Sequence, residues 1–370
     1  MKKSKKLLSV LLILVMMGAL FLTACGGEQG GDGKDEDVTT IGFIYIGSKT
    51  DGGYTQAQHL GTTAVEDYFG EKVKILTAEN IEEEKTTVKT AAVNMISEGA
   101  SIIVGTSYGF MDALEECAQE YPEVTFLHFS GNKMNDTNFG NYFGAMEEPR
   151  YLSGIIAGLK TETNKLGYVA AFPYTEVLIG INAFALGAQS VNPDVEVSVV
   201  YINSWNDPAN EKIAAESLLA QGCDVIAQHC DSAGPQIAAE EKGVWAVGYN
   251  LDSRDAAPGA FLTAPIWHHD KYLVPTIEKV IGGTYVPESY YGTMQDGYVD
   301  LAEMSDLVPE EAKTKVEEIA QQMKDGTFKV FSGEIKDNQG NVVVAEGESL
   351  DRAGIWQIEY LVEGVTGRDN

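Results

Sequence analysis

The chain has 370 residues, of which 44% are hydrophobic and 22% are charged, and its formal net charge is -29. This length exceeds one ordinary domain and predicts two. Such an acidic surface argues against nucleic acid and anionic lipid as binding partners. We therefore expect a two-domain chain with no nucleic-acid partner.

The N-terminus has the layout of a secretory signal. Four lysines precede an apolar run from Leu7 to about Leu22, and the run ends in the sequence LTAC. A basic start, a short apolar core and a small residue before the cleavage point indicate a signal peptide rather than a membrane span. The order of Ala24 and Cys25 resembles a bacterial lipobox, so residues 1–24 are predicted to be a lipoprotein signal peptide with Cys25 lipidated. An ordinary signal peptide with an incidental cysteine is the alternative.

A flexible acidic tether is predicted at residues 25–38, because GGEQGGDGKDED contains nothing apolar to bury. The remaining cysteines, Cys117, Cys223 and Cys230, lack the paired spacing of a disulfide framework. Cys223 and Cys230 could form a bridge, but small buried residues are the better interpretation. No second apolar run is long enough to cross a bilayer.

Apolar strand runs then alternate with segments of helical period, which are predicted at 83–98, 111–120, 151–160, 176–191 and 210–221. This alternation predicts parallel sheets covered by helices on both faces. The layout occurs twice and predicts an N-terminal lobe at 39–148, a C-terminal lobe at 149–268 and a return segment at 269–370 that completes both. Two such lobes leave a crevice at the carboxyl ends of their strands, where ligands bind.

Aromatic, amide, hydroxyl and carboxylate side chains recur at these strand ends, and lysine and arginine are missing from nearly all of them. A phosphate site would need cations or a glycine-rich loop with a lysine, and that motif is absent. A flat, uncharged ligand that forms hydrogen bonds fits better. The candidate ligand-binding residues are Asp51, Gly52, Tyr54, Ser107, Tyr108, Phe110, Phe184, Trp205, His229, Asp231, Asn250 and Trp267.

One motif is typical of an enzyme. The sequence GTSYG around Ser107 matches the G-x-S-x-G nucleophile elbow of hydrolases, and Asp231 and His268 follow in hydrolase order. No oxyanion loop of the HGG type lies upstream, and Ser107 could instead cap a helix or contact a ligand. The sequence HHD from His268 to Asp270 could hold a metal but is more typical of a helix start. We expect a binding protein with no cofactor and no metal.

Six segments together resemble the basic membrane protein family, the substrate-binding lipoproteins of ABC importers related to the purine-nucleoside receptor. The likeness is greatest to the branch associated with adenine binding. The segments are GFIYIGSKTDGGYTQAQHLG, IIVGTSYGFMDALEECAQEYPEV, RYLSGIIAGLKTETNKLGYVAAFPYTEVLIGINAFALGAQSVNP, NSWNDPANEKIAAESLLAQGCDVIAQHCDS, GVWAVGYNLD and IEYLVEGVTG. The resemblance implies a two-lobed periplasmic-binding fold of type I with several hinge crossovers. It also implies ABC permease subunits as partners, and a monomer anchored by lipid outside the cytoplasm.

The resemblance implies a purine held between two rings, one from each lobe. The first ring matches Tyr54, where this branch usually has tryptophan, and the second matches Phe184, for which helix core is the alternative. Trp205 is expected to border the pocket or to pack under its turn. His229 and Asp231 match a strand-end segment of the family.

Two positions depart from the family pattern. Asn250 stands where the family commonly has aspartate, and Trp267 stands where the nucleoside-binding branch has a lysine. Because a ribose diol is usually held by a carboxylate and a cation, these changes favour a purine base, adenine first, over its nucleoside. A nucleoside receptor is the alternative if Asn250 replaces the aspartate functionally.

Overall fold

The computed structural model describes residues 38–369, which form one compact unit. The predicted signal peptide, Cys25 and all but the last residue of the predicted tether lie outside the described residues. Within 38–369, no helix combines the length and the apolar character needed to cross a membrane. Cys117, Cys223 and Cys230 are buried free thiols, so the possible bridge between the last two is not formed.

Sixteen strands and ten helices make up the described chain. The strands are β1 (Thr39–Ile44), β2 (Val73–Ala78), β3 (Ala100–Gly105), β4 (Thr125–Phe129), β5 (Phe139–Gly144), β6 (Lys165–Ala170), β7 (Glu196–Tyr201), β8 (Val225–His229), β9 (Trp245–Val247), β10 (Phe261–Thr263), β11 (Pro265–Trp267), β12 (Ser289–Gly292), β13 (Val299–Leu301), β14 (Ile335–Lys336), β15 (Val342–Val344) and β16 (Val365–Asp369). The helices are α1 (Tyr54–Phe69), α2 (Lys85–Ser97), α3 (Met111–Glu120), α4 (Glu147–Lys160), α5 (Thr175–Gln189), α6 (Pro208–Ala220), α7 (Gly234–Lys242), α8 (Asp270–Ile281), α9 (Glu310–Lys324) and α10 (Arg352–Ile355).

Two parallel six-stranded sheets organise the molecule. The first has the order β12-β5-β4-β3-β1-β2 and the second the order β10-β9-β8-β6-β7-β16. Every pairing within them is parallel. Their central strands are apolar without alternation because helices cover both faces. This confirms the predicted α/β fold, and we call each sheet with its helices the first or the second lobe.

The chain passes between the lobes three times. After β5 it enters α4 and the second sheet, and it returns through α8, which packs on α1, to pair β12 with β5. It crosses again to α9, which packs on α4, and to β16, which pairs with β7 at the edge of the second sheet. The last quarter of the chain therefore supplies an edge strand to each lobe.

The α4–α5 pair is the closest helix contact of the second lobe, and glycines make it possible. A Cβ on Gly154 would lie 2.0 Å from the carbonyl oxygen of Phe184, and one on Gly187 would lie 2.0 Å from that of Tyr151. The two backbones therefore touch, as only glycine permits. This contact fixes the rotation of α5 and buries Phe184 beneath the sheet.

Two glutamates at the start of α4, Glu147 buried and Glu148 half-buried, mark the first crossover. The hydroxyl of Tyr291 donates to Oε2 of Glu147 at 3.2 Å, and the amide of Met294 donates to Oε2 of Glu148 at 2.7 Å. Burial raises the pKa of both carboxyls to about 7. The carboxyls thus connect the first crossover to β12 and the loop that follows it.

Candidate ligand-binding cleft

A cavity of about 1080 Å³ lies between the carboxyl ends of the two sheets. The first lobe lines it with residues that include Tyr54, Glu83, Ser107, Tyr108, Phe129 and Phe143. The second lobe contributes residues that include Phe172, Tyr174, Glu176, Trp205, His229, Asp231 and Tyr249. Further residues come from the C-terminal part of the chain, among them Tyr291, Arg352, Trp356 and Glu359. Aromatic rings and carboxylates from both lobes thus face one space, which suits a small flat ligand.

Six of the candidate residues line this cavity, namely Tyr54, Ser107, Tyr108, Trp205, His229 and Asp231. The other six do not line it. Asp51 and Gly52 form the turn before α1, and Phe110 is fully buried in the core of the first lobe. Phe184, Asn250 and Trp267 are also buried, in the second lobe and beneath the cleft.

Tyr54 is held in place by the turn that starts α1. The carboxylate of Asp51 accepts from the backbone amides of Gly53, Thr55 and Gln56 at 2.9 to 3.0 Å, so it caps the helix. The hydroxyl of Tyr54 donates to the carbonyl oxygen of Thr106 in the neighbouring strand-end loop. The side chain of Tyr54 lines the cavity. Gly52 adopts φ 78°, the left-handed conformation that the turn requires.

Phe184, the expected second ring, does not reach the cavity. Its side chain is fully buried, and its ring packs 5.5 Å from that of Tyr168 in β6. The second-lobe wall instead carries other rings, among them Phe172, Tyr174 and Trp205. Phe172 stacks on Tyr174 at 5.0 Å with an interplanar angle of 9° and meets the edge of Trp205 at 5.4 Å. These rings provide the aromatic surface of the second lobe.

Asn250 and Trp267 form a hydrogen bond with each other beneath the cleft. The indole Nε1 of Trp267 donates to Oδ1 of Asn250 at 3.1 Å, and the edge of the Trp267 ring meets Phe129 at 5.2 Å. Both side chains are buried and neither lines the cavity. They therefore support the floor of the site from below.

The second-lobe wall is acidic and contains a neutral histidine. Burial, followed by the neighbouring carboxylates of Asp51 and Glu211, raises the pKa of Asp231 well above its ordinary value. Burial and the charge of Arg150 lower the pKa of His229 to about 4. Nε2 of His229 lies 3.7 Å from Glu176. At neutral pH this wall therefore offers a ligand carboxyl groups and an uncharged imidazole.

Arg150 supports this wall from behind. Its guanidinium is fully buried, donates from Nη1 to the carbonyl oxygen of Gln228 at 2.6 Å, and lies 3.7 Å from the ring centre of Tyr249. The ring of Tyr249 in turn lies 4.7 Å from that of His229. The buried cation thus orders the end of β8, from which His229 enters the cavity.

Ser107 has the environment of a structural or ligand-contacting hydroxyl. It donates to Oε1 of Glu83 at 2.5 Å, and the same oxygen accepts from the amide of Gly109 at 2.9 Å. The nearby imidazole of His128 bonds to the backbone carbonyl of Ser107 at 2.7 Å and not to its hydroxyl. No histidine bonds to the Ser107 hydroxyl in residues 38–369, and no group of three or more possible metal ligands occurs there.

Two elements of the site carried no recognisable signal in the sequence. Arg352, Trp356 and Glu359 follow no predicted sheet strand, and they reach the cleft only because the chain crosses between the lobes. Tyr174 lies just beyond the predicted strand end. The sequence FPY after β6 is the one pattern that could have pointed to it, since aromatic residues at strand ends recur elsewhere in the chain.

Comparison with known proteins agrees with this architecture. The family model described as ABC transporter substrate-binding protein, PnrA-like, matches residues 38–338. A purine-binding protein of Brucella abortus (strain 2308) is 34% identical over 343 residues, which cover 93% of this chain and 97% of that protein. A Haloferax volcanii protein, provisionally named as the glucose-binding protein of an ABC transporter, is 34% identical over 340 residues, or 92% of this chain and 83% of that protein.

The solved structure of ABC transporter solute-binding proteins from Aeropyrum pernix K1 has the same fold, with a TM-score of 0.68 at 17% identity over 79% of this chain and 92% of that one. Two lobes around a ligand-sized cleft are common to this structure and to those solute-binding proteins. The chain belongs to the Bmp family of PnrA-like substrate-binding proteins. Proteins of this family bind substrates and are not classed as enzymes.

The lobes touch where α1 begins. A Cβ on Gly53 would lie 1.7 Å from the carbonyl oxygen of Asp231, so the described approach requires glycine. We expect Gly53→Ala to fold normally but to hold the lobes apart, giving a larger radius of gyration in small-angle scattering. Gly243→Asn, at the end of α7, is the control, because its left-handed conformation (φ 70°, ψ 32°) suits asparagine and no atom lies within 4 Å of its Cβ position. Identical scattering from Gly53→Ala and the wild type would contradict the contact.

Proposed function

We propose that the protein captures a purine base, adenine first, in the interlobe cleft and delivers it to an ABC permease. The observation that carries this proposal is the pairing of aromatic surfaces across the cavity. Tyr54 stands on the first lobe, and Phe172 and Trp205 stand on the second. Stacking on aromatic side chains contributes about 1–3 kcal/mol per base.

The polar groups of the second lobe suit the edge of an aminopurine. Adenine carries N–H donors, and Asp231 and Glu176 are carboxyl groups placed at the cavity to accept them. The uncharged imidazole of His229 can donate or accept, according to its tautomer. The name of the Brucella relative agrees with a ligand of this kind.

A base is favoured over a nucleoside because Asn250 and Trp267, which depart from the family pattern, are buried and hydrogen-bonded to each other. The side-chain oxygen of Asn250 already accepts from Trp267, and both residues are buried. Neither side chain lines the cavity, where ribose hydroxyls would have to be held. Burial of unpartnered hydroxyls costs on the order of 1–3 kcal/mol.

We therefore expect adenine to bind at least about tenfold more tightly than adenosine. Calorimetric titration with adenine, adenosine, guanosine and hypoxanthine measures this, and glucose is included because of the name of the Haloferax relative. Tighter binding of adenosine than of adenine would contradict the preference for a base while leaving a purine receptor. Binding of glucose but of no purine would contradict the proposal as a whole.

The aromatic pairing gives a second expectation. Tyr54→Ala and Trp205→Ala are expected to weaken adenine binding by roughly tenfold to a hundredfold, because each removes one stacking surface. Tyr54→Trp should bind at least as well as the wild type. Phe184→Leu is the matched comparison, since it removes a buried ring that does not line the cavity, and we expect its dissociation constant to stay within about twofold of the wild type. Wild-type affinity in both alanine variants would rule out stacking between the lobes.

We also propose that the protein is held at the outer face of the cell membrane by lipid on Cys25, as the lipobox-like sequence suggests. A lipid on Cys25 would keep the protein close to the permease. Cys25→Ser should release protein into the medium, as measured by fractionation and by loss of labelled fatty acid. Retention of a processed Cys25→Ser protein in the membrane would contradict the anchor.

A further inference from the structure

The C-terminal stretch of residues 351–362 forms a third wall of the cleft. Arg352 and Trp356, one helical turn apart, and Glu359 line the cavity together with residues of the two lobes. This wall brings a guanidinium, an indole and a carboxylate to the site.

Asn182 fixes the position of this wall. Its side chain is fully buried in α5, its Nδ2 donates to the carbonyl oxygen of Tyr360 at 2.8 Å, and its Oδ1 accepts from the amide of Val362 at 3.0 Å. One amide group thus bonds to the backbone of the wall as a neighbouring strand would. The wall is therefore anchored to the second lobe, and this fixes the position of the segment that carries Arg352.

Arg352 is the one lysine or arginine among the residues that line the cavity. Its guanidinium lies 4.2 Å from the ring centre of Tyr291, which orients it without using its N–H groups. Within residues 38–369 no carboxylate forms an ion pair with it and no hydrogen bond engages it. The planar fork of donors is thus available to a ligand.

Two hydroxyl donors at the cavity are already engaged. The hydroxyl of Tyr54 donates to the carbonyl oxygen of Thr106, and that of Ser107 donates to Glu83. The nearby carboxyl groups can accept from the N–H groups of a ligand, but its acceptor atoms need donors. A purine has ring nitrogens that lose water on burial, and each needs a partner.

We propose that Arg352 is a specificity-determining residue that donates a hydrogen bond to a ring nitrogen of the bound purine. In this proposal, Arg352 of the third wall binds the acceptor edge of the base. The carboxyl groups of the second lobe bind its N–H donors. The proposal rests on the proposed function, since it requires a purine in the cleft. A ligand without a ring-nitrogen acceptor at the matching position would then bind more weakly.

The test is a set of titrations of the full-length protein with adenine and with its 1-deaza, 3-deaza and 7-deaza analogues, each lacking one ring nitrogen. Arg352→Gln is expected to weaken adenine binding about tenfold. One analogue should bind the wild-type protein about tenfold more weakly than adenine does. That same analogue should bind Arg352→Gln and the wild type with equal affinity, because the substitution and the analogue remove the same hydrogen bond. Arg352→Lys should recover part of the loss.

Arg254→Gln is the control, because this arginine pairs with Asp252 and does not line the cavity. An unchanged melting temperature of ligand-free Arg352→Gln confirms that the variant is folded. Equal affinity of Arg352→Gln and wild type for adenine would overturn the proposal, as would the same loss for adenine and all three analogues. If the wild type binds no purine at all, the proposed function fails and this inference fails with it.

Discussion

The close approach of Gly53 to the carbonyl oxygen of Asp231 is the contact on which the cleft depends. Because α1 begins after a residue without a side chain, the first lobe can rest on the loop that follows β8. The residues beside this contact are those that face the cavity. Tyr54 follows Gly53 in the chain, and Asp231 itself carries the carboxyl group. Closure of the lobes and assembly of the site are therefore one event, as expected where a ligand favours a closed state.

Closure also sets the electrostatics of the site. Burial removes water from the carboxyl group of Asp231, and the charges of Asp51 and Glu211 lie nearby. Both effects raise the pKa of Asp231 and favour its protonated form. Burial, aided by the buried cation of Arg150, lowers the pKa of His229 and keeps its imidazole uncharged. A ligand with N–H donors would stabilise the buried carboxyl group of Asp231 by hydrogen bonding to it. A phosphate or carboxylate would instead add a further negative charge beside Asp231, Asp51 and Glu211. The walls thus favour neutral ligands before any single hydrogen bond is considered.

The fold could be predicted because its signals are local. Alternating strands and helices define two parallel sheets, and the helix predicted at 83–98 lies at Lys85–Ser97 in the structure. The helix predicted at 151–160 begins earlier, at Glu147, because the proline at position 149 is tolerated in a first turn. The strand ends also identified six of the residues that line the cleft, since carboxyl ends of parallel strands meet at one edge.

The remaining features of the site depend on contacts that are distant in sequence. The residues of α5 are apolar on nearly every side. The sequence period therefore could not show whether Phe184 lies on the face of α5 toward the cleft or on the face toward the core. The glycine contacts with α4 decide that rotation. The third wall could not be located because it reaches the cleft only through the later crossovers. The pairing of Asn250 with Trp267 joins residues whose separate departures from the family pattern had no visible connection.

The interleaving of the lobes has a consequence for how the molecule folds. The edge strand β12 of the first sheet and the edge strand β16 of the second are both synthesised after the rest of their sheets. Until they arrive, β5 and β7 present open backbone edges, which are prone to pair with other chains. Contacts between β5 and β12 or between β7 and β16 span well over one hundred residues, a separation that slows folding. Neither lobe is a continuous segment that could be excised and expressed alone, so the two lobes are a single unit of folding as well as of binding.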